Sequence, residues 1–152
     1  MGAASERALA RAGAAVGVNY CSKASAADDL VREIRDQGGE AVALKADVSR
    51  DDEVRTMYDR LVEAFGRIDT LVANAGIQKH FAITDMSLED WRAVLDINLT
   101  GQFLRVREAI RRFLAQGPTA VSKATGKIIC MSSVHEFIPW VGHINHAASM
   151  GG

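Results

Sequence analysis

The sequence contains little of what marks disordered, disulfide-rich or metal-binding chains. Its 152 residues include two prolines and 13 glycines, well below the roughly 25–30% of proline plus glycine typical of low-complexity sequence. The two cysteines, Cys21 and Cys130, have neither the spacing of a zinc site nor the density of a disulfide framework. We therefore expect free thiols, a cytoplasmic location and a packed core.

Charge of one sign and long apolar runs are also scarce. Lysine and arginine number 18, aspartate and glutamate 19, and the formal net charge is -1, so the basic excess needed for nucleic-acid binding is absent. No apolar run approaches the roughly 18 residues that a membrane-spanning helix needs. With 48% hydrophobic residues, the composition predicts one globular domain over residues 1–152, with neither nucleic acid nor membrane as a partner.

The apolar residues alternate between two spacings along the chain. Short apolar runs predict strands, and a 3.6-residue period predicts helices. The predicted strands cover 14–19, 41–48, 68–73 and 127–131, and the predicted helices cover 3–12, 25–37, a segment from Ser49 to Gly66, and 87–116. This alternation predicts parallel strands with helical crossovers, and so a Rossmann-like, doubly wound α/β sheet with helices on both faces.

Finer features of these elements can also be predicted. Ser25, Ser49 and Ser87 each precede an aspartate by three positions, a pattern in which the hydroxyl accepts a hydrogen bond from a free amide of the first helical turn. Cys130 in the last strand is expected to pack in the core. The helix over 87–116 is expected to bury one apolar stripe, formed by Trp91, Val94, Leu95, Leu99, Phe103, Val106, Ile110 and Phe113.

Polar residues follow three of the predicted strands. Asp47 ends one strand, Asn74-Ala75-Gly76 follows the next, and Ser132-Ser133 follows the last. The carboxyl ends of parallel strands form the ligand-binding edge of such a sheet, so the repetition favours a binding site. The alternative at each position is a simple turn, since Asp, Asn and Gly are common where strands exit.

Asn98 lies on the buried side of its predicted helix, three and four residues after Leu95 and Val94. A buried amide costs roughly 1–3 kcal/mol unless hydrogen bonds satisfy it. Two explanations are equally open. Asn98 is either a functional amide, or it marks a helix kink near Thr100-Gly101 in which the side chain bonds a freed carbonyl.

Histidines are concentrated late in the chain, at His135, His143 and His146, with His80 apart. No cysteine or acidic residue near them completes a usual zinc ligand set. We therefore predict no metal site.

Seven short stretches, taken in order, carry a more specific pattern. They are NYCSK (19–23), GGEAVALKADV (38–48), ANAG (73–76), MSLEDW (86–91), DINLTGQFL (96–104), MSSVHEFIPW (131–140) and HAASMGG (146–152). Together they resemble the short-chain dehydrogenase/reductase family, and within it the glucose 1-dehydrogenases. The resemblance implies an NAD(P)-dependent oxidoreductase, a homo-oligomer in the family, that transfers hydride between a sugar or other alcohol carbon and nicotinamide.

The resemblance also implies roles for individual residues. Asp47 is similar to the residue that contacts the cofactor adenine, with Val48 beside it, and Asn74-Ala75-Gly76 is similar to the turn that lines the cofactor. Asn98 resembles the helical amide that holds a proton-relay water. Ser133 resembles the hydroxyl that orients the substrate oxygen.

The catalytic pair of the family is altered. In the family, a Tyr-x-x-x-Lys pair follows the serine, and the lysine lowers the tyrosine pKa and holds the nicotinamide ribose. Here these two positions are His146 and Met150. Histidine can exchange a proton near its ordinary pKa of about 6.5 but is shorter than tyrosine, and methionine can do neither task of lysine. We expect an inactive or impaired enzyme. The alternative is a non-catalytic module that dimerises through helix 87–116 and the helix beginning near His146.

Both ends of the sequence differ from the family pattern. Met1-Gly2 resembles the last two residues of the glycine-rich phosphate loop, so the first strand and the later strands of the family are expected to be missing. The first strand lies at the centre of such a sheet, which predicts a gap in the core. Lys23 is placed to meet a 2'-phosphate and favours NADP over NAD, with the use of both left open.

Overall fold

Helices and strands alternate along the chain. The computed structural model describes residues 2–118 and 123–152. The elements are α1 (Gly2–Arg11), β1 (Val16–Tyr20), α2 (Ala24–Asp36), β2 (Ala41–Lys45), α3 (Asp51–Phe65), β3 (Thr70–Ala73), α4 (Leu88–Leu95), a π-helical turn (Asp96–Thr100), α5 (Gly101–Gln116), β4 (Lys127–Cys130), a 3₁₀ turn (Val134–Glu136) and α6 (Ile144–Gly151). Every strand and helix predicted from the apolar periodicity is present, with shifts of a few residues at the ends.

The four strands form two separate parallel pairs. β1 pairs with β2 from Val16 opposite Ala41 onward, and β3 pairs with β4 from Thr70 opposite Lys127 onward. In the part of the chain that the structure describes, no strand pairing joins the two sheets. The parallel α/β architecture is therefore confirmed, and its sheet is divided in two.

A cavity of about 580 Å³ lies between the two strand pairs. Its walls include Gly17 and Asn19 of β1 and Thr70 and Val72 of β3. The gap that was predicted at the centre of the sheet is thus present.

Strand β2 is covered by helices on both of its faces. Alternate side chains of a strand point to opposite faces, and alternate residues of β2 enter two different apolar clusters. Ala41 and Ala43 belong to the cluster that α2 completes with Leu30 and Ile34. Leu44 and the flanking Val42 belong to a second cluster, which α3 and α5 complete with Val54, Met57, Tyr58, Leu104, Ala109 and Phe113.

Only one of the three predicted serine caps is correct. Ser87 precedes α4, and its hydroxyl accepts a hydrogen bond from the Asp90 amide at 3.0 Å. Helix α2 begins one residue before Ser25, so that hydroxyl lies within the first turn. The Ser49 hydroxyl donates to Asp47 Oδ1 at 2.7 Å, and the residue before α3 is Arg50. Both assignments failed because a local pattern does not fix the first helical residue.

The apolar stripe predicted for the long helix is partly wrong. Val94 and Phe113 are buried, but Phe103 is 57% exposed and Ile110 is 42% exposed. The buried face of α5 is instead formed by Gly101, Leu104, Arg105, Glu108, Ala109 and Phe113. Helix α5 has two partly apolar faces. The face that packs against α3 and β3 is not the one that carries the predicted stripe. Among the described helices, none is both long and apolar enough to cross a membrane.

The prediction that Cys130 packs in the core is also wrong. Cys130 is exposed, and so is every other residue of β4. In the described residues β4 makes its main contacts with β3 alone, so its two faces lack the helical cover that a core position requires.

Candidate functional site

Asn98 lies in the π-helical turn that separates α4 from α5. The turn is shown by the Gly101 amide, which donates to the Asp96 carbonyl five residues earlier. Such single π turns are rare and occur frequently at functional sites. The turn presents the 4%-exposed side chain of Asn98 to the segment that follows β3.

The Asn98 amide binds the backbone of that segment. Its Oδ1 accepts from the Ile77 amide at 2.8 Å, and its Nδ2 donates to the Ile77 carbonyl at 3.0 Å and to Ser149 Oγ of α6 at 2.9 Å. The helix departs from regular α geometry here, as the helix-kink explanation for Asn98 expected. The carbonyl that the side chain bonds belongs to another segment, however, so Asn98 joins the end of β3 to α6.

Gly76 is placed where a side chain would interfere with this contact. A Cβ atom at Gly76 would lie 3.2 Å from Asn98 Oδ1, which is tighter than ordinary van der Waals contact. Glycine therefore allows the backbone after β3 to approach the amide closely. This is a specific reason for glycine in the Asn74-Ala75-Gly76 stretch.

His146 lies beside Asn98 and is itself buried, with 7% of its surface exposed. Its Nε2 lies 3.1 Å from Gln78 Nε2, and its Nδ1 lies 3.5 Å from Asn98 Nδ2. The ring also bonds the backbone of Ile77. The amide nitrogen of Gln78 can only donate, so the neutral ring accepts at Nε2 and carries its proton on Nδ1, and we assign this tautomer.

Burial lowers the pKa of His146 below its ordinary value, because the charged form loses solvation. The hydrogen bond to the Ile77 backbone opposes this effect, and the neighbouring rings of His135 and His143 add to it. The imidazole is therefore neutral near pH 7. In this form it can accept a proton at Nε2 once the Gln78 contact is released.

A series of aromatic contacts connects His146 to the loop after β4. The His135 and His146 ring centroids are 6.3 Å apart, His135 stacks on Trp140 at 5.1 Å, and Trp140 stacks on His143 at 4.3 Å. His80 lies 4.8 Å from His143. These histidines pack as rings, and within residues 2–118 and 123–152 no group of three such side chains could hold a metal ion.

The two serines after β4 have different surroundings. Ser133 Oγ accepts from the His135 amide at 3.2 Å and caps the 3₁₀ turn. Ser132 Oγ donates its single proton to the Glu136 carboxylate and lies 3.4 Å from the Met150 carbonyl oxygen. The described contacts therefore place Ser132 against α6, while the Ser133 hydroxyl meets its own loop rather than Asn98 or His146.

Asp47 and Val48 occupy the turn after β2. Asp47 Oδ1 accepts from the Ser49 amide at 3.0 Å, so the turn-forming alternative for Asp47 is realised. Val48 is buried, and its Cγ2 would lie 3.0 Å from a Cβ atom at Gly101. The sequence thereby brings the end of β2 close to the start of α5.

The remaining predicted cofactor residues lie at the same edge. Lys23 directly precedes α2, is exposed and makes no side-chain cap. Asn74 Nδ2 would lie 3.2 Å from a Cβ atom at Gly2, the first residue of α1. The Ala75 carbonyl accepts from Arg105 Nη2 at 3.4 Å. All three follow or flank strand ends, as expected, but no described contact joins Lys23 to the Asn98 network.

Sequence reasoning missed three polar members of this region. Gln78 and Ser149 contact His146 and Asn98, and each is one of many polar residues whose local pattern is unremarkable. Arg105 is 4% exposed, its Nε donates to the Gly101 carbonyl at 2.9 Å, and burial lowers its pKa. A signal for Arg105 existed, because it lies seven residues after Asn98 and thus on the same helical side.

Comparison with known proteins identifies the family. Residues 1–152 match the short chain dehydrogenase family, and the parallel α/β fold and the strand-end site agree with that match. The chain belongs to this family.

Several relatives are similar over most of the chain. A 3beta-hydroxysteroid dehydrogenase 1 from Eggerthella lenta is 41% identical over 152 residues, covering 100% of this chain and 56% of the relative. A glucose 1-dehydrogenase 2 from Bacillus subtilis is 36% identical over 136 residues, covering 89% of this chain and 50% of the relative.

A solved structure extends the comparison to the fold. The crystal structure of a gluconate 5-dehydrogenase from Burkholderia cenocepacia, in complex with NADP and tartrate, superimposes with a TM-score of 0.83 at 34% identity. It is matched over 96% of this chain and 54% of its own length. The chain thus spans about half the length of the relatives it matches.

Proposed function

We propose that this chain forms part of one NAD(P)-binding domain of a short-chain dehydrogenase, which transfers hydride between a sugar or other alcohol carbon and nicotinamide. The observation that carries the proposal is the network at the end of β3. There, Asn98 holds the Ile77 backbone at 2.8 Å and 3.0 Å and lies next to His146, which stands at the tyrosine position of the family. The arrangement joins the strand-end turn to the helix of the catalytic pair.

The residues at the strand ends fit a nicotinamide dinucleotide, which supplies the hydride-accepting ring when bound. Asp47 and Val48 would contact the adenine side, and Asn74, Ala75 and Gly76 would line the cofactor. Only one Asp47 carboxylate oxygen is used in its own turn, which leaves the other for a ligand. Lys23, an exposed cation at the start of α2, would meet a 2'-phosphate, so we favour NADP over NAD.

At the reacting centre the fit is poorer. His146 Nε2 already accepts from Gln78, and a substrate hydroxyl would have to displace that amide before it could share a proton with the ring. Gln78 is exposed, so this displacement is sterically open. Met150 supplies neither a charge nor a hydrogen-bond donor. We infer that the chain binds dinucleotide more readily than it turns over substrate.

The substrate class is the least determined part of the proposal. The resemblance to glucose 1-dehydrogenases favours a sugar, while the relatives named above include a hydroxysteroid dehydrogenase and a gluconate dehydrogenase. Sugars, hydroxysteroids and gluconate all carry a hydroxyl group on a carbon that can be oxidised to a ketone or lactone. We therefore propose a polyol or sugar hydroxyl and place Ser133 as the group that orients it.

Dinucleotide titration tests the proposal. The intrinsic fluorescence of NADPH and NADH would be followed as each is titrated with the purified chain, and saturable binding is expected. Lys23→Gln should weaken NADPH binding about tenfold, the value of one charge-assisted hydrogen bond, and leave NADH binding unchanged. Lys45→Gln, a matched change at the exposed end of β2, should alter neither. Absence of saturable binding with both dinucleotides would contradict the proposal.

One observation favours the second candidate, a dimerisation module. Phe103, Ile110 and Leu114 of α5 are 57%, 42% and 72% exposed, and their spacing places them on one face of the helix. An apolar face of this kind is typical of a helix that packs against a second copy. Sedimentation velocity should then show a dimer that Leu114→Glu dissociates, while Ile83→Glu, at an equally exposed position outside α5, leaves it intact. A monomer at every concentration would exclude this function.

A further inference from the structure

Two loops of the chain are joined to each other: the segment that follows β3 and the loop that follows β4. The Phe81 amide of the first donates to the Gly142 carbonyl of the second at 3.0 Å. Beside this bond, the ring centroids of His80 and His143 are 4.8 Å apart. We name this contact the loop clasp and define it by these four residues.

The loop clasp is closely packed. A Cβ atom at Gly142 would overlap the His80 ring, so glycine lets the ring lie directly on the backbone of the other loop. The His143 ring is 8% exposed and stacks on Trp140, with 4.3 Å between centroids and 8° between planes. The contact is therefore anchored in the loop after β4, while His80 reaches it from an exposed position.

The loop clasp also fixes the position of Gln78. This residue precedes His80 by two positions, and its Nε2 lies 3.1 Å from His146 Nε2. At the other end of the segment, Asn98 holds the Ile77 backbone. Opening of the clasp would free the chain beyond Ile77, and Gln78 is the first residue of that freed part.

Protonation places two positive charges in the clasp. Imidazole is the side chain whose ordinary titration lies between about pH 5 and pH 8. His143 Nδ1 donates to the Val141 carbonyl at 3.2 Å, so a second proton enters its ring at Nε2. Two charged rings whose centroids are 4.8 Å apart repel each other, and unit charges at such a separation change an equilibrium by about tenfold or more.

The surrounding elements do not offset these charges. Their other charged or titratable groups are Lys79 and Asp85 in the segment after β3, Glu89, Asp90 and Arg92 in α4, His135 and Glu136 in the 3₁₀ turn, and His146 in α6. Lys79 is bound to Asp90 at 2.7 Å, and the Glu136 carboxylate accepts from Ser132. Among the contacts of the described residues, none pairs a ring of the clasp with a carboxylate.

The rings of this region already act on one another electrostatically. Burial lowers the pKa of His146, and the rings of His135 and His143 lower it further. Positive charge on one ring thus opposes positive charge on the next. The closed arrangement favours uncharged imidazoles.

We propose that the loop clasp is a pH-sensitive switch: His80 and His143 hold the two loops together while uncharged, and their mutual repulsion in mild acid opens the loops and draws Gln78 away from His146. The proposal does not depend on dehydrogenase activity, since it concerns only the contact between two loops. Its consequence is that solvent and ligands reach His146 more readily as the pH falls.

Hydrogen exchange of the Phe81 amide measures closure of the clasp in the unmodified chain. Its protection factor, taken against the intrinsic exchange rate at each pH, should fall between about pH 8 and pH 5. The reference is the Trp91 amide, which donates to the Ser87 carbonyl at 3.0 Å and reports any general loss of stability. Phe81 should lose about tenfold more protection than Trp91. Equal losses at the two amides, or none at Phe81, would overturn the proposal.

His80→Gln and His135→Gln form a matched pair of variants. Both replace an imidazole by an uncharged amide, but His135 lies outside the clasp, with its ring 5.1 Å from that of Trp140. His80→Gln should keep the Phe81 amide protected in acid, because a charge on His143 then has no charged neighbour in the clasp. His135→Gln should lose protection as the unmodified chain does. An equal response of the two variants would contradict the assignment to His80 and His143.

His143→Phe tests the other half of the clasp, because it retains a ring that can stack on Trp140 and removes the titrating nitrogens. Protection of the Phe81 amide should again persist in acid. If His143→Phe lacks protection at both pH values, the substitution has broken the contact itself. The result of His80→Gln, which leaves the buried His143 ring in place, then decides the question.

Nuclear Overhauser contacts between the Gln78 side-chain amide and the His146 ring test the second part of the proposal. In the unmodified chain they should be present at about pH 8 and lost at about pH 5. In His80→Gln they should persist at both. Contacts that persist in the unmodified chain after Phe81 has lost its protection would show that the clasp does not control access to His146.

Discussion

The side chain of Asn98 serves as the hydrogen-bonding partner of the Ile77 backbone: Oδ1 accepts from its amide at 2.8 Å, and Nδ2 donates to its carbonyl at 3.0 Å. One side chain thereby satisfies both polar groups of a peptide segment that follows a strand and has no strand neighbour. The π-helical turn Asp96–Thr100 makes this reach possible. The position of the strand-end turn consequently depends on a helix far from it in sequence.

Asn98→Ala should lower the free energy of unfolding by about 2 kcal/mol, because it leaves the Ile77 amide and carbonyl without their partner. Ser149→Ala leaves both Ile77 contacts in place and removes the hydrogen bond from Asn98 Nδ2 to Ser149 Oγ, at 2.9 Å, together with the one from Ser149 Oγ to the His146 carbonyl of its own helix, at 2.8 Å, and it should cost about 1 kcal/mol. Urea titration of both variants measures the two values. Equal costs would show that the Ile77 contacts add no stability.

Acidification should destabilise the chain through His146. Burial lowers the pKa of His146 in the folded state, whereas the unfolded chain has the ordinary value of about 6.5. The unfolded state therefore binds more protons once the pH falls below about 7, and the stabilisation from the neutral ring, complete above that pH, is lost as the pH falls through 6.5 toward the lowered folded value. Unfolding free energies between pH 8 and pH 5 should fall more steeply for the unmodified chain than for His146→Gln. Parallel curves would contradict the assignment.

If His146 and Met150 stand at the positions of the family's catalytic tyrosine and lysine, as proposed above, replacing them by that pair should restore turnover. His146→Tyr together with Met150→Lys supplies a phenol and a neighbouring cation that lowers its pKa, and general acid/base catalysis typically contributes about 10²–10⁴ in rate. We expect the rate of NADP reduction with glucose or gluconate to rise by about 10² or more. The control is His146→Tyr with Ala148→Lys, which puts the same charge on an exposed position of α6 and should give no comparable gain. If both double variants are equally slow, the altered pair is not what limits activity.

Gly101→Ala should destabilise the chain although alanine is the better helix former. A Cβ atom at Gly101 would lie 3.0 Å from Val48 Cγ2 and 3.1 Å from the Val48 carbonyl oxygen, and a backbone oxygen cannot move aside as a side chain can. The steric cost of about 1–3 kcal/mol should exceed the gain of about 1 kcal/mol in helix propensity. Gly151→Ala is the matched control in α6, since its nearest contact would be 3.8 Å. Thermal melts should show Gly101→Ala below and Gly151→Ala at or above the unmodified chain.

Several features of the fold and site could be predicted from local sequence because they rest on local interactions. The 3.6-residue period placed the helices, the Ser87 cap was correct, and polar residues at strand ends indicated the edge where Asn74 and Asp47 lie. Asn98 was recognisable as a buried amide from its helical position alone. The Ser25 and Ser49 caps were wrong because competing local contacts, such as the Ser49 bond to Asp47, are decided by backbone geometry.

What the sequence by itself determined is the set of elements, their parallel arrangement and the family to which the chain belongs, since these follow from apolar periodicity and from ordered motifs. Only the tertiary structure decided which face of α5 is buried, that β4 is exposed, and that Asn98 bonds Ile77 and Ser149. The physical reason is that periodicity reports how a segment is built, whereas burial and hydrogen-bond partners depend on which distant segments pack against it.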